Sequence, residues 1–172
     1  MDTPTAARVN PVVTEVVRNG LVAVTEEMKI NLMRTAYNMI IYEALDFTVG
    51  LFDHRGDTLS IGLGLPMFIR GMADTVKSKI AHWGYDGIHP DDILLTNDAY
   101  ITGAHLNHLT FSIPIFHQGV IVAFSTCMAH WQDIGGILNG VWDVGEGERW
   151  TTTDATGSYA FNNLAAGLGA AS

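Results

Sequence analysis

The stretch LTFSIPIFHQGVIVAFST, residues 109–126, sets the fold that we expect for this chain. Apolar residues dominate two runs, 109–116 and 120–127, that flank the short link 117–119. Short runs rich in β-branched and aromatic residues are typical of strands, and a brief link that contains glycine is typical of a hairpin. The stretch therefore predicts two neighbouring antiparallel strands.

Further strands are predicted upstream of this hairpin. Residues 47–53 and 58–62 are strand-like and flank a turn-forming segment, 53–57, that is rich in Asp and Gly. Residues 93–96 form a short apolar run that follows the break His89-Pro90, which predicts a short buried strand. The chain should therefore hold a second antiparallel pair and an extra short strand.

Two helices are predicted around these strands. Asn10 and Pro11 suit the N-cap and first position of a helix, and apolar residues then recur every three or four positions. We expect residues 11 to about 42 to be mainly helical and 67–83 to form a second helix. Because helices precede or separate antiparallel pairs, the expected class is α+β with a long N-terminal helix.

Composition restricts the classes of function. The chain has 172 residues, of which 48% are hydrophobic, so disorder over most of its length is excluded. A net charge of -9 repels phosphate backbones, so no nucleic-acid partner is expected. The single cysteine, Cys127, excludes an internal disulfide and a four-cysteine zinc site. It lies among apolar neighbours and is interpreted as an inert core thiol.

Neither a signal peptide nor a membrane helix is visible in the sequence. The first residues lack a basic segment followed by an apolar one, and no uninterrupted apolar run approaches the ~18 residues that a membrane helix needs. The expectation is a cytoplasmic protein without a membrane partner.

The sequence changes character after about residue 141. Residues 142–150 show no apolar period, and 151–167 resemble a strand repeat of Cna-B-like and carboxypeptidase-regulatory-like domains. Such domains need several more strands, which are not present here. We therefore divide the chain into a domain at 1–141 and an unrelated tail at 142–172. We expect the tail to be loosely ordered, either as a foreign fusion or as a reading-frame accident.

Three histidines stand out as possible metal ligands. His105 and His108 are three residues apart, and His130 follows 25 residues after His105. On a regular strand, positions three apart point to opposite faces, so convergence requires residues 103–107 to form a loop or bulge, which Gly103 permits. The alternative is a pair of partly buried polar side chains flanking a strand.

Acidic residues form further candidates. Asp46 lies between apolar runs, where a carboxylate needs a hydrogen-bond partner or a metal. Asp98 follows a strand, where an Asx turn is the alternative to a functional role. Asp133 precedes Gly135 and Gly136, which suit a tight turn or close approach to a ligand. The sequence contains no phosphate-binding glycine-rich loop with lysine, so no ATP site is expected within the chain.

Several blocks together resemble the N-terminal part of the hydantoinase B/oxoprolinase family. That family includes N-methylhydantoinase B subunits, the C-terminal part of 5-oxoprolinase, and acetone and acetophenone carboxylase subunits. The blocks fall in family order and lie at residues 10–19, 34–37, 43–47, 94–100, 103–108 and 129–136.

This resemblance implies a divalent metal, zinc or manganese, with Asp46, His105, His108 and His130 as its ligands. Position 108 is His where the family usually has Asp, so the donor set here carries one negative charge fewer and favours zinc. The resemblance also makes Asp133 a residue of the outer shell or the substrate side. Asp133 and Asp98 are the catalytic candidates.

The resemblance further implies a partner and a reaction. The partner is a hydantoinase A-like, ATP-using subunit that phosphorylates the substrate oxygen, so ATP enters only through that subunit. The reaction is hydrolysis of a cyclic amide such as a hydantoin or 5-oxoproline; carboxylation of a ketone is the alternative. Family members are several times longer than this match, so a truncated, non-catalytic product is a third interpretation.

Overall fold

Four α-helices and five strands form the regular structure of residues 10–132 and 134, the part of the chain that this computed structural model describes. The helices are α1 Pro11–Thr35, α2 Met39–Tyr42, α3 Ile69–Trp83 and α4 Ala99–Thr102. The strands are β1 Phe47–Asp53, β2 Thr58–Leu63, β3 Leu94–Thr96, β4 His108–His117 and β5 Val120–His130. Short 3-10 turns occupy Pro66–Phe68 and Tyr85–Gly87. The predicted tail at 142–172 lies outside the described residues.

The five strands form one sheet in the order β2-β1-β5-β4-β3, and each neighbouring pair is antiparallel. The β4–β5 hairpin closes at Gln118 and Gly119, which have φ angles of 51° and 78°. Two consecutive positive φ values match the tight turns that suit the twist of paired strands. The predicted α+β class with antiparallel strands is confirmed. Both hairpin strands extend beyond the predicted ends, to His108 and His130.

The N-terminal helix begins where the sequence predicts it. The Asn10 side chain accepts a hydrogen bond from the Val12 backbone N–H at 2.9 Å, and Pro11 occupies the first turn. The predicted helix over residues 11–42 is interrupted, however, because Ala36 is extended and Asn38 caps a separate helix, α2, through the Ile40 N–H. A capping side chain at position 38 satisfies the backbone donors that open a new helix.

Helix α1 packs closely on one face of the sheet through small side chains. The buried Thr25 hydroxyl lies 2.9 Å from that of Ser60 on β2. A Cβ atom at Gly62 would collide with the Thr25 backbone carbonyl, so glycine there permits the close approach. Phe47, Val49 and Ala129 form the buried cluster on this face.

Helix α3 packs on the opposite face of the sheet, and the larger of the two buried apolar clusters lies between them. It begins at Ile69 and not at the predicted Met67, because Pro66–Phe68 forms a 3-10 turn. The buried apolar side chains between α3 and the sheet include Met72, Val76, Phe124 and Met128. Among the described residues, the structure contains no helix long and apolar enough to cross a membrane.

One lysine lies inside this apolar layer. Lys79 on α3 is only 4% exposed, and its Nζ donates hydrogen bonds to the Thr110 carbonyl at 2.8 Å and the Ser112 hydroxyl at 2.9 Å. Position 79 falls three residues after Val76 and seven after Met72, on the buried face of the helix. Burial lowers the pKa of Lys79 to about 7 from its ordinary 10.5, since the interior disfavours the ammonium form.

Replacing Lys79 with methionine is expected to stabilise the chain at neutral and acidic pH. Between pH ~7 and ~10.5 the unfolded lysine binds a proton that the folded one lacks, so the wild-type free energy of unfolding rises with pH there. Below pH ~7 both states are protonated and the full burial cost is present. We expect Lys79→Met to raise the free energy of unfolding by ~1–4 kcal/mol at pH 6, with a smaller gain at pH 9.5.

Urea unfolding of both chains at the two pH values measures this difference. Lys77→Met, on the exposed side of the same helix, is the matched control and should show no such gain. Loss of stability in Lys79→Met at pH 6 would show that the two hydrogen bonds outweigh the cost of burying the ammonium group.

Candidate metal centre

A tight turn brings two of the candidate ligands together. Helix α4 ends at Gly103 in the left-handed region, with φ 69°, and the chain then leaves regular structure until β4. The His108 N–H donates to the His105 carbonyl at 2.9 Å, which closes a four-residue turn. The two imidazole centroids lie 4.4 Å apart. The loop that the spacing argument required is therefore present.

The β4–β5 register places the third histidine beside the first two. His130 pairs directly with His108 at the end of the hairpin. Its ring centroid lies 5.0 Å from that of His108 and 4.9 Å from that of His105. All three rings meet edge to face. Residues that are 25 positions apart in sequence thus form one cluster at the end of the sheet.

Asp46 joins this cluster from the residue before β1. Its backbone carbonyl accepts a hydrogen bond from the His130 N–H at 3.1 Å, which fixes the segment against β5. Its carboxylate Oδ1 lies 3.1 Å from Nε2 of His108. The structure therefore brings together all four residues that the resemblance implied as ligands.

The cluster lowers the pKa of two of its histidines, His108 and His130. Burial lowers the pKa of His108 below its ordinary value, although the hydrogen bond and charge of Asp46 act in the opposite direction. Burial also lowers the pKa of His130, again opposed by Asp46. Nε2 of His108 lies within hydrogen-bond distance of the Asp46 carboxyl group, a contact that favours the His108 tautomer with its hydrogen on Nε2.

Several buried nitrogens in the cluster have no hydrogen-bond partner. Within the described residues, the Nδ1 atoms of His105, His108 and His130 are buried and make no hydrogen bond. Leaving such a group unpaired in the interior typically costs ~1–3 kcal/mol each. Three of them in one cluster indicate that the imidazoles are arranged to bind something other than the described part of the chain.

The donor chemistry fits a divalent ion, whereas the side-chain positions require adjustment. Three imidazoles and one carboxylate form a donor set that suits zinc. Over residues 10–132 and 134, however, no three such side chains are placed to hold an ion as they stand. Two ligands of one tetrahedral ion lie about 3.3–3.6 Å apart, more than the 3.1 Å between Asp46 and His108. Ligation of one ion by both Asp46 and His108 therefore requires side-chain rotations that break the hydrogen bond between them.

The other predicted site residues are placed differently. Asp98 caps helix α4, because its Oδ1 accepts a hydrogen bond from the Tyr100 N–H at 2.9 Å. That arrangement is the turn weighed as the alternative for this residue, and it leads into the loop that carries His105. Asp133 lies outside the described residues. Burial raises the pKa of the Cys127 thiol to about 11, which makes a nucleophilic role at this position unfavourable.

Two asparagines that sequence reasoning missed hold the cluster. The Asn38 side chain donates to the His130 carbonyl at 3.0 Å. The Asn107 side chain donates to the Trp131 carbonyl at 3.0 Å, and the Trp131 N–H donates to the Asn107 carbonyl at 2.8 Å. Apolar periodicity carries no information about either residue. The one available signal is that Asn107 sits between two candidate ligands.

Comparison with known proteins agrees with the sequence blocks. The family model described as Hydantoinase B/oxoprolinase matches residues 10–152. The 5-oxoprolinase of Dictyostelium discoideum is 30% identical over 131 residues, which cover 76% of this chain and 10% of that protein. The caprolactamase subunit beta of Pseudomonas jessenii is 29% identical over 128 residues, covering 74% and 22%. The chain thus spans a quarter or less of these relatives.

A solved structure shares the fold. Acetone carboxylase, solved without nucleotide in a study of ATP-dependent acetone carboxylation, superposes with a TM-score of 0.67 at 21% identity. The superposition covers 74% of this chain and 17% of that one. At this level of identity the similarity concerns the fold alone.

The loop that carries His105 depends on a close contact between two helices. A Cβ atom at Gly71 on α3 would collide with the backbone carbonyl of Thr102 on α4. We expect Gly71→Ala to lower the free energy of unfolding by ~1–3 kcal/mol, because backbone must move to make room. The matched control is Gly20→Ala in α1, where nothing lies within 4 Å; it should stabilise by ~0.5–1 kcal/mol. Thermal unfolding of both variants measures the difference, and equal shifts would contradict the contact.

Proposed function

Since this chain belongs to the hydantoinase B/oxoprolinase family, we propose that it supplies a metal centre to an ATP-dependent enzyme that hydrolyses cyclic amides of the hydantoin or 5-oxoproline class. The observation that carries the proposal is the cluster of three imidazoles beside a carboxylate. Ring centroids 4.4–5.0 Å apart and three unpartnered buried nitrogens support metal binding at this point.

Asp46, His105, His108 and His130 hold the ion in this proposal. Histidine at position 108 makes the set rich in nitrogen, which favours zinc over manganese. A divalent ion held by these four residues would supply Lewis-acid chemistry, either on a carbonyl oxygen or on a water molecule. The chain itself would supply three imidazoles, one carboxylate and burial. Burial on the His108 side comes partly from Phe68, whose ring centroid lies 4.8 Å from that of His108.

The two catalytic candidates take different parts in this proposal. Asp133 follows His130 by three residues and is the carboxylate on the substrate side. Asp98 acts indirectly, because its carboxylate caps α4 and so orders the loop that leads to His105. A cap of this kind typically contributes ~1 kcal/mol to helix stability.

ATP enters through a partner subunit. The sequence holds no phosphate-binding glycine-rich loop with lysine. A relative named as a subunit beta is by its name one part of a larger assembly. We therefore assign activation of the substrate oxygen to a hydantoinase A-like, ATP-using subunit, and reaction of the activated small molecule to the centre on this chain.

Carboxylation of a ketone is the second candidate function. The shared fold with acetone carboxylase supports it. Both reactions act on a substrate oxygen that has been activated with ATP, and an ion that polarises oxygen suits either. The two functions differ in their second reactant, which is water in one case and bicarbonate in the other, so assays with each substrate pair separate them.

Zinc binding by the purified chain tests the centre. We expect about one zinc per chain after gel filtration of the zinc-loaded protein, measured by elemental analysis. His105→Ala should abolish stoichiometric zinc because it removes a ligand from the turn. His89→Ala is the control, since His89 is exposed and pairs with Asp92 on the surface. Equal zinc in both variants would exclude the cluster as the binding site.

Turnover should depend on the ATP-using partner. We expect the isolated chain to hydrolyse neither hydantoin nor 5-oxoproline, with or without ATP, because it lacks the activating subunit. Addition of a hydantoinase A-like subunit with ATP is the condition in which substrate loss is measured. Steady turnover by the chain alone, lost on chelation, would show that activation by a partner is unnecessary.

A further inference from the structure

Asn107 continues the β4–β5 pairing beyond its last regular pair. The ladder ends where His108 faces His130. One step further, the Trp131 N–H donates to the backbone carbonyl of Asn107 at 2.8 Å. The return bond to the Trp131 carbonyl comes from the Asn107 side chain at 3.0 Å. The carboxamide therefore supplies a donor in the position that a strand backbone N–H would otherwise fill.

Because the Asn107 side chain makes this bond, the Asn107 backbone does not need to continue the strand and the chain can turn. Residues 105–108 form a turn closed by the His108 N–H and the His105 carbonyl, which a continued strand could not adopt. The turn brings the His105 ring to 4.4 Å from His108, while the carboxamide keeps the same segment attached to β5. Because this segment is attached to β5, the attachment sets the distances from the rings of His105 and His108 to that of His130.

The Asn107 side chain is also poorly replaced by an apolar one. It is 2% exposed, and within the described residues its Oδ1 makes no hydrogen bond. Burying that oxygen without a partner is unfavourable, and an apolar side chain would avoid this cost. An apolar side chain could not donate a hydrogen bond to the Trp131 carbonyl, however, and that bond would be lost. Trp131 is 45% exposed, and its ring centroid lies 6.0 Å from that of Phe111. The two hydrogen bonds to its backbone therefore attach it to Asn107.

We propose that Asn107 is the positioning residue of the histidine cluster: its carboxamide holds the turn that carries His105 and His108 at a fixed distance from His130. It touches neither substrate nor ion and acts through the rings on either side. The proposal rests on the proposed metal centre for its functional meaning. It also makes a claim about ring geometry that holds without an ion.

Zinc affinity of the full 172-residue chain tests the functional part. Competition with a chromophoric chelator gives the dissociation constant of wild type, Asn107→Ala and Val76→Ala. Val76→Ala is the matched control, because Val76 is a buried apolar residue of the α3 core, and its truncation opens a cavity that destabilises the fold without removing a histidine or a hydrogen bond to Trp131. Under conditions where circular dichroism shows every chain folded, we expect Asn107→Ala to bind zinc about 10–100-fold more weakly than wild type. Val76→Ala should stay within about 3-fold.

Nuclear Overhauser effects between histidine ring protons test the geometric part without metal. Wild type and Val76→Ala should show contacts between His130 and the rings of His105 and His108, and Asn107→Ala should lose them. The proposal is overturned if Asn107→Ala keeps these contacts, or if wild type binds zinc and Asn107→Ala binds it as tightly as Val76→Ala does. If Asn107→Ala does not fold, the same two measurements are made on Asn107→Ser. Its side chain is too short to reach the Trp131 carbonyl.

The two proposals fail in different ways. If wild type binds no zinc, the metal centre is wrong, and the ring contacts alone then decide the role of Asn107. Their loss in Asn107→Ala still supports the positioning role, and their persistence overturns it. If wild type binds zinc and Asn107→Ala binds it equally well, the metal centre stands and the positioning role is wrong.

Discussion

The register of the β4–β5 hairpin is the constraint on which the candidate site depends. Direct pairing of His108 with His130 places two imidazoles at one end of the sheet, and the turn before β4 adds His105. Side chains alternate between the two faces of a strand, so a slip of one residue would send one of the paired histidines to the other face. The positive φ values at Gln118 and Gly119 set the register beside the two-residue link. An irregularity between Ile115 and Phe116 then shifts the pairing by one residue, and this shift brings His108 opposite His130.

The register also makes β4 polar on its covered face. His108, Thr110 and Ser112 point toward the α3 layer and are buried, and Lys79 bonds two of them. The apolar residues between them face the other way, where Ile113 is 45% exposed. Lys79 bonds the backbone carbonyl of Thr110 and the Ser112 hydroxyl, whereas the Thr110 hydroxyl is buried without a hydrogen-bond partner among the described residues. Buried polar groups of this kind are tolerated because most have partners, and unpartnered nitrogens concentrate at the cluster.

The sequence predicted the elements of this fold better than their contacts. The α+β class, the two hairpins and the Asn10 cap follow from local patterns and are confirmed. The break at residues 36–38 was missed because the apolar repeat runs on to Ala36 while the capping role of Asn38 depends on one side-chain rotamer. Lys79 was missed because a charged residue normally argues against burial. Asn107 was missed because its bonds join residues 24 positions apart.

The sequence predicted which residues belong to the candidate site but not how they are arranged. The resemblance named Asp46 and the three histidines, and the structure brings those residues together. The spacing of His105 and His108 left convergence open, because only the turn closed at His105 decides it. The His108 ring contact with Asp46 joins residues 62 positions apart, which no linear pattern contains.

X-ray absorption at the zinc edge of the zinc-loaded chain tests the central claim most directly, because it reports the atoms around the ion. The account predicts about four nitrogen and oxygen neighbours at roughly 2.0–2.2 Å, with the outer scattering that imidazole rings produce. A shell of about six oxygen atoms without imidazole scattering would mean that zinc sits elsewhere on the surface, and would contradict a metal centre built from Asp46, His105, His108 and His130.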